Sequence, residues 1–197
     1  MFRIAVTGGI ACGKTHVGRC LCSRGIPVWE ADEAAHALLE PGTGVFRAVV
    51  GAFGDSILDV HGNVDRSVLG RLVFSSADDR LRLNALVHPA VMAACDAWMS
   101  GEMENGVPTA AAVIPLLHEA GFERPWDLVV CVTCQPATQL QRMRERGWTG
   151  KDADARLDAQ WPQDRKAGLA DVVIVNEGPK ALLDAQIDQM LSRIEER

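Results

Sequence analysis

The feature that most limits how this chain can fold is the segment 8–15, which reads GGIACGKT and satisfies the pattern GxxxxGK followed by Ser or Thr. It lies between a short apolar run at residues 2–7 and a helical pattern over about residues 14–24, the context that a phosphate-binding loop requires. Glycines let such a loop wrap closely around phosphates, and the N-terminus of the following helix attracts their charge. The segment therefore predicts a strand, a phosphate-binding loop (P-loop) and a helix.

Short apolar runs bounded by turn residues recur along the chain and predict further strands. These runs lie at residues 26–30, 109–114, 127–133 and 171–175. Strands that read as nearly continuous apolar segments are typical of a parallel sheet with both faces covered. With the first run, they predict an α/β fold with a central five-stranded parallel sheet covered by helices.

The stretches between these runs are mainly helical, and the whole chain is predicted to form a single domain, residues 1–197. Residues 41–106 are interpreted as an inserted helical lobe, with one helix over 77–87 that breaks at His88 and Pro89. Residues 139–169 are helical and rich in arginine, which is typical of a lid. The nucleotide-binding core then comprises residues 1–40, 107–138 and 170–197.

Charge and composition exclude several classes of protein. The net charge of -6 argues against a broad nucleic-acid surface, and no run approaches the roughly 18 apolar residues that would span a membrane. The N-terminus reaches the glycine loop too early for a secretory signal, so we expect a cytoplasmic protein with six reduced cysteines. Cys131 and Cys134 have CxxC spacing, which leaves a redox or metal site open beside the simpler interpretation of two small buried side chains.

The P-loop residues have separate predicted roles. Lys14 would reach the β and γ phosphates of a nucleotide, and the Thr15 hydroxyl would bind Mg²⁺. The alternative is a glycine turn that binds nothing. The residues predicted to contact ATP here are Gly8, Gly9, Ile10, Ala11, Cys12, Gly13, Lys14, Thr15 and His16.

Two carboxylates indicate which P-loop class this is. The chain has no NKxD motif of switch GTPases, and its later strands do not end in the acidic residue of hydrolytic ATPases. Instead, Glu30 and Asp32 follow the second predicted strand, where a kinase needs a base to accept the proton of an attacking hydroxyl. Asp32 is the predicted base, although it could simply cap a helix that begins at Glu33. Glu30 could hold Mg²⁺ through water or merely end the strand.

Arginines of the predicted lid could stabilise charge on the transferred phosphoryl group. Arg142 and Arg146 are the leading pair because their spacing puts them on one helix face, and a solvated surface is the alternative. The predicted catalytic residues are then Asp32, Lys14 and Arg142. These features predict a P-loop kinase that phosphorylates a small acceptor with ATP. A nucleoside or nucleotide kinase and a non-catalytic nucleotide-binding regulatory protein are the alternatives.

Matches spread along almost the whole chain resemble the dephospho-CoA kinase family. They are TGGI with GKT at 7–15, EAD at 30–32, His88 with Pro89, IPLL at 114–117 with Glu119, Gln139 to Arg142, Gln160, Pro162, Ala170, Asp171, Asn176 and Gly178. Most are weak individually, but their order and spacing together are specific to this family.

The resemblance implies a reaction between ATP, with Mg²⁺, and dephospho-CoA, whose ribose 3′-hydroxyl Asp32 would activate. It implies a helical lobe for this substrate and a lid that contains Arg142 and Arg146. Asn176 and Gly178 would lie beside the adenine of ATP, or serve only as turn formers. His88 would orient the substrate or merely break a helix.

The chain also departs from the usual family pattern. Ala11 and Cys12 replace Gly-Ser, and Glu30 replaces Asp. Thr15 and His16 likewise stand where the family usually has Ser-Thr. His36 replaces an arginine, so binding of the substrate phosphate is expected to depend on pH or on another cation such as Arg66. The predicted substrate-binding residues are Asp32, His36, Arg66 and His88.

Overall fold

The computed structural model of this chain describes residues 1–122 and 125–195. Five strands within these residues form one sheet in the order β2-β3-β1-β4-β5, and every neighbouring pair is parallel. The strands are β1 Phe2–Gly8, β2 Val28–Glu30, β3 Thr109–Val113, β4 Leu128–Thr133 and β5 Val172–Val175. The predicted five-stranded parallel sheet is confirmed, with strand ends within two residues of the sequence-based bounds.

Helices connect and flank these strands. They are α1 Lys14–Ser23, α2 Ala31–Leu38, α3 Gly44–Phe53, α4 Arg66–Ser75, α5 Ala77–Glu104, α6 Pro136–Glu145, α7 Lys151–Asp158, α8 Gln163–Ala167 and α9 Lys180–Glu195, with a short 3-10 turn at Asp55–Ile57. In the described ranges, none of these helices combines the length and the apolar character needed to cross a membrane.

The chain divides into two compact units, and the first comprises Met1–Glu30 and Met99–Arg197. It contains the sheet, and its core is built from strand residues such as Ile4 and Val130, which are fully buried. Leu21 of α1 and Ile187 of α9 are buried in the same core. Burial of apolar strands explains why the strands read as continuous apolar runs.

The second unit, Ala31–Trp98, is helical. Its buried residues include Val49 of α3, Ile57 of the 3-10 turn and Leu69 of α4. The Asp65 side chain accepts the N–H groups of Ser67 and Val68 and so caps the start of α4. This cap explains why the preceding loop ends where Arg66 begins a helix.

The predicted helix break at His88 and Pro89 is wrong. Helix α5 runs for 28 residues through Pro89, although proline removes one N–H donor and normally interrupts a helix. Val87 and Val91 are both buried, and their spacing of four residues puts them on one helix face across the proline. Burial of this continuous apolar face outweighs the local cost of the proline.

Candidate active site

The P-loop begins where β1 ends, and its backbone requires glycine at two positions. Gly8 has φ 139°, and a Cβ atom there would lie 2.1 Å from the carbonyl oxygen of Val132 in the neighbouring strand. Gly13 has φ 104°, and its Cβ atom would lie 2.2 Å from the Asn176 side-chain nitrogen. Any larger residue at either position would displace the loop from the sheet or from Asn176.

Ala11 adopts the left-handed conformation with φ 57°, which costs a non-glycine residue about 1–2 kcal/mol. Glycine, which has no Cβ atom, would adopt this conformation without that cost. In this chain the Ala11 methyl is buried in a small cluster with Met143 and Ala153. The packing of that methyl offsets part of the strain.

The residues predicted to bind phosphate and Mg²⁺ lie in the first turn of α1. Lys14 opens the helix, and its Nζ donates to the carbonyl oxygens of Gly8 and Gly9 at 3.1 and 2.9 Å. Thr15 is exposed, and the backbone N–H of His16 donates to Gly13 O at 2.9 Å. The ammonium, the Thr15 hydroxyl and the helix N-terminus therefore meet at the loop, the combination that a phosphate group requires.

Three side-chain amides surround the P-loop, and we call Gln139, Gln163 and Asn176 the amide clamp. Gln139 Nε2 donates to the carbonyl oxygen of Ile10 at 2.8 Å, and Asn176 Nδ2 donates to that of Cys12 at 2.8 Å. Gln163 Nε2 donates to Gln139 Oε1 at 2.9 Å. The clamp therefore fixes two P-loop carbonyl groups by side chains from three separate segments of the chain.

Because the carbonyl groups are fixed, the backbone N–H groups that follow them in the loop are oriented as well. In a planar trans peptide the C=O and the following N–H point in opposite directions. The Ile10 carbonyl faces Gln139, so the Ala11 N–H points away from the clamp. By the same geometry the Gly13 N–H points away from Asn176. The amide clamp therefore presents these backbone donors to the side of the loop that can receive an anion.

Cys12 is fully buried inside this arrangement. Its Sγ donates to Gln163 Oε1 at 3.0 Å and lies 3.4 Å from Cys134 Sγ. Burial is the main cause that raises the pKa of Cys12 to about 12, and the neighbouring Cys134 is the second. The Cys12 thiol is therefore protonated at neutral pH. Burial also raises the pKa of Cys131 to about 11. Both members of the CxxC pair are buried, and Cys134 contacts Cys12 of the P-loop.

Arg142 and Asn176, predicted separately for nucleotide binding, are brought together. Arg142 Nη2 donates to the backbone oxygen of Asn176 at 3.1 Å. Its Nη1 is buried and has no hydrogen-bond partner among the described residues, which suits a donor for a bound anion. Arg146 instead lies beyond the end of α6, is exposed, and stacks on the Trp148 ring at 5.5 Å. Gly178 is exposed, with φ 102°.

The two predicted acids belong to different units. Glu30 ends β2, and its Oε1 lies 3.8 Å from the position that a Cβ atom on Gly18 of α1 would occupy. Gly18 is three residues after Thr15, on the same helix face, so a carboxylate and a hydroxyl oxygen border one side of α1. Asp32 lies in the first turn of α2, which begins at Ala31. The alternative that Asp32 caps a helix starting at Glu33 is therefore wrong.

His36 and Arg66, predicted to bind substrate, line one cavity of about 390 Å³ in the second unit. Although His36 is exposed overall, partial burial and then the positive charge of Arg66 lower its pKa. His36 is therefore mainly neutral at pH 7, while Arg66 carries the positive charge of the cavity. His88 is half-buried in the middle of α5.

A larger cavity of about 840 Å³ adjoins the P-loop at Gly9 and Ile10 and is bordered by residues of α6, α7 and α8. Among the described residues that line it, the P-loop contributes Gly9 and Ile10 and not Lys14 or Thr15. Within α8, the fully buried Lys166 donates to Glu119 Oε1 at 2.7 Å.

Sequence reasoning assigned no role to Gln139, Gln163, Lys166 or Glu119. Gln139 and Glu119 were part of the family resemblance, and that was their only signal. Gln163 and Lys166 lie in a polar stretch with no pattern that marks them as buried or paired.

Comparison with known proteins gives consistent results. A family model described as dephospho-CoA kinase matches residues 2–181. A dephospho-CoA kinase of Geobacillus kaustophilus is 43% identical over 178 residues, which cover 90% of this chain and 89% of that protein. The structure of a dephospho-CoA kinase from Campylobacter jejuni is 26% identical, with a TM-score of 0.70 over 98% of this chain and 97% of its own. A shikimate kinase from Acinetobacter baumannii, 16% identical, shares the fold with a TM-score of 0.54, over 100% of this chain and 94% of its own.

Proposed function

The chain belongs to the dephospho-CoA kinase family, and on that premise we propose that it transfers the γ-phosphoryl group of ATP to the ribose 3′-hydroxyl of dephospho-CoA, giving coenzyme A and ADP. The observation that carries the proposal is the P-loop, held by the amide clamp with Lys14 and Thr15 at the helix start, in a chain that matches this family over residues 2–181. The cytoplasm is the proposed compartment, and six free thiols suit it.

The first unit supplies the nucleotide site in this proposal. Lys14 exchanges the carbonyl oxygens of Gly8 and Gly9 for phosphate oxygens when ATP binds, and the N–H groups of the loop hold the same phosphates. Arg142 neutralises charge on the transferred group, and Arg146 belongs to the lid. Asn176 and Gly178 lie beside the adenine. The P-loop residues proposed to contact ATP are Gly8 to His16.

Thr15 and Glu30 fit an Mg²⁺ ion, because this ion prefers a hydroxyl or carboxylate oxygen together with phosphates and water. The exposed Thr15 hydroxyl would bind it directly, and the Glu30 carboxylate would hold it through water. When bound, Mg²⁺ would neutralise charge on the β and γ phosphates.

The acceptor is proposed to bind the helical lobe, residues 41–106, together with α2. Asp32 accepts the proton of the 3′-hydroxyl as that oxygen bonds to the γ phosphorus and the bond to the ADP oxygen breaks. Arg66 and His36 hold an anionic part of the acceptor, with Arg66 providing the charge. His88 orients the acceptor, and residues 139–169 close as the lid.

An acceptor panel tests the reaction. The purified chain is incubated with ATP, Mg²⁺ and either dephospho-CoA, nucleosides or nucleoside monophosphates, and products are identified by mass. We expect a gain of one phosphate on dephospho-CoA. Product from nucleosides or their monophosphates alone would favour a nucleotide kinase, and ATP binding without any product would favour a regulatory protein.

Asp32→Asn tests the mechanism because it nearly preserves the shape of the side chain and removes the base. We expect kcat to fall by about 100-fold or more while ATP affinity changes little. Glu33→Gln is the matched control, since Glu33 is also an exposed acid in the first turn of α2. Turnover of Asp32→Asn within about threefold of the wild type would show that Asp32 is not the base.

A further inference from the structure

Three side chains with metal-binding atoms meet between α1 and α9 of the first unit. His16 and Cys20 are four residues apart on α1, and Asp184 lies on α9. Cys20 Sγ lies 3.4 Å from His16 Nε2 and 3.2 Å from Asp184 Oδ1. One ligand atom from each residue lies within 4.8 Å of the other two. A nitrogen, a sulfur and an oxygen donor therefore converge on one point.

Two of the three separations, those measured from Cys20 Sγ, are close to the separations in a tetrahedral metal site. Zn²⁺ bonds to sulfur, nitrogen and oxygen are about 2.3, 2.0 and 2.0 Å long, so adjacent ligand atoms in a tetrahedron lie about 3.3–3.6 Å apart. The two distances measured from Cys20 Sγ come within about 0.3 Å of this range. An ion could therefore bind with small side-chain movements. Cys20 is buried, whereas His16 and Asp184 are half-buried, which leaves solvent access for a fourth ligand.

We propose that His16, Cys20 and Asp184 form a binding site for a divalent transition-metal ion of the Zn²⁺ class, with water as the fourth ligand. A thiolate and an imidazole favour Zn²⁺ or Co²⁺, whereas Mg²⁺ prefers an all-oxygen set. The site is thus chemically distinct from the proposed Mg²⁺ position at Thr15. On binding, the Cys20 S–H bond breaks, a metal–sulfur bond forms, and the proton passes to solvent.

The surrounding charges do not block a cation. Burial and then Asp184 raise the pKa of Cys20, and the charges of Arg24 and Lys180 lower it by less. Arg24 is also paired with Asp188 at 2.6 Å. The Cys20 thiolate and the Asp184 carboxylate together balance the charge of a divalent ion. The alternative role of the three residues is a hydrogen-bonded group in which the thiol donates to Asp184.

Binding would connect the helix that begins with Lys14 to α9. His16 directly follows Thr15, and Asp184 lies in the second turn of α9. A metal ion here would therefore pin the start of α1 through the His16 ring. The inference rests on this geometry and not on the proposed reaction, so either can fail independently.

Cobalt titration of the full chain tests the proposal. The chain is treated with a chelator, dialysed, and titrated with Co²⁺ in the absence of nucleotide and Mg²⁺. We expect one saturable site with a near-ultraviolet sulfur-to-cobalt charge-transfer band, which Zn²⁺ displaces. Substituting a hydrogen-bond partner of a metal ligand costs about 10- to 100-fold in affinity. Cys20→Ser removes a ligand itself, so it should weaken binding by at least about 100-fold and abolish the band.

Matched variants separate this site from other thiols. Cys22→Ser lies two residues along α1, is exposed, and should keep full binding. Cys134→Ser should keep the band, because the pair Cys12 and Cys134 is not the site. Asp184→Asn is nearly isosteric and keeps an oxygen atom but loses the charge of a direct ligand. It should weaken binding by at least about tenfold with the band retained, which tests the site even if Cys20→Ser does not fold.

The proposal fails if the wild-type chain shows no saturable Co²⁺ binding or no sulfur band. It also fails if the band persists in Cys20→Ser or is lost in Cys22→Ser or Cys134→Ser. As an independent readout, Zn²⁺ at a concentration just sufficient to saturate the wild type should raise the thermal midpoint of the wild type by more than that of Asp184→Asn. Circular dichroism establishes that each variant is folded.

Discussion

Lys166→Met removes a buried positive charge from the first unit while keeping most of the side-chain volume. Lys166 is fully buried, and its ammonium donates to Pro115 O and Glu119 Oε1, each at 2.7 Å. The substitution leaves the Glu119 carboxylate, 12% exposed, with the Trp161 N–H at 2.9 Å as a donor but without a counter-charge from Lys166. Removing one partner of a buried ion pair costs about 3–5 kcal/mol, and we expect the free energy of unfolding to fall by that amount.

A double-mutant cycle with Glu119→Gln separates the pair from the shape of the site. The double variant has no unpaired charge, so we expect it to be more stable than Lys166→Met alone by about 1 kcal/mol or more. Urea unfolding followed by circular dichroism gives the free energies. Lys151→Met is the control, since Lys151 is exposed and its loss should change stability by less than about 0.5 kcal/mol. A loss below about 1 kcal/mol for Lys166→Met, or strict additivity in the double variant, would refute the reasoning.

Three further predictions concern the P-loop and the acceptor cavity. Gln139→Ala removes one member of the amide clamp and should weaken ATP binding by about tenfold in calorimetry. Gln141→Ala, at an exposed position of the same helix, should leave ATP affinity unchanged. Equal ATP affinities of the two variants would contradict the clamp's role. Arg66→Gln should raise the KM for dephospho-CoA at pH 7.5 by about tenfold, because Arg66 carries the positive charge. His36→Gln should raise this KM by less than about threefold, because the lowered pKa keeps His36 neutral. A larger effect of His36→Gln would reject Arg66 as the group that binds the acceptor's anion. Cys12 has a pKa of about 12 in the folded chain against 9.0 for a free thiol, so its contribution to stability is complete below pH 9 and is lost as pH rises toward 12. Between pH 8 and 10 the urea midpoint should fall more steeply for the wild type than for Cys12→Ala, with parallel curves as the contrary result.

Much of the sheet and the P-loop could be predicted because their signals are local. A buried parallel strand needs a short apolar run such as that before Gly8, and a phosphate loop needs glycines and Lys14 at fixed spacing. The break at Pro89 was predicted from an equally local rule, but it failed. The burial of Val87 and Val91 on one face depends on the rest of the second unit, which the local rule does not consider.

The amide clamp could not be predicted because its members lie far apart in the sequence. Gln139 and Gln163 come from separate helices and Asn176 follows β5, and only the folded chain brings them to one loop. Lys166 shows the same limit, since a lysine in a charged stretch normally indicates a solvated surface. Its burial follows from Glu119, 47 positions earlier in the chain.

The amide clamp consists entirely of neutral groups, and this has a consequence for chemical ageing. Conversion of Asn176 to aspartate by deamidation would change the shape of the side chain very little. It would nevertheless replace an N–H donor with an oxygen that repels the Cys12 carbonyl, and it would add a negative charge near the phosphate-binding side. Two unit charges about 8 Å apart repel by about 2 kcal/mol at an effective dielectric constant of about 20. A single hydrolysed amide would thus weaken nucleotide binding by about 30-fold in a molecule whose fold is unchanged.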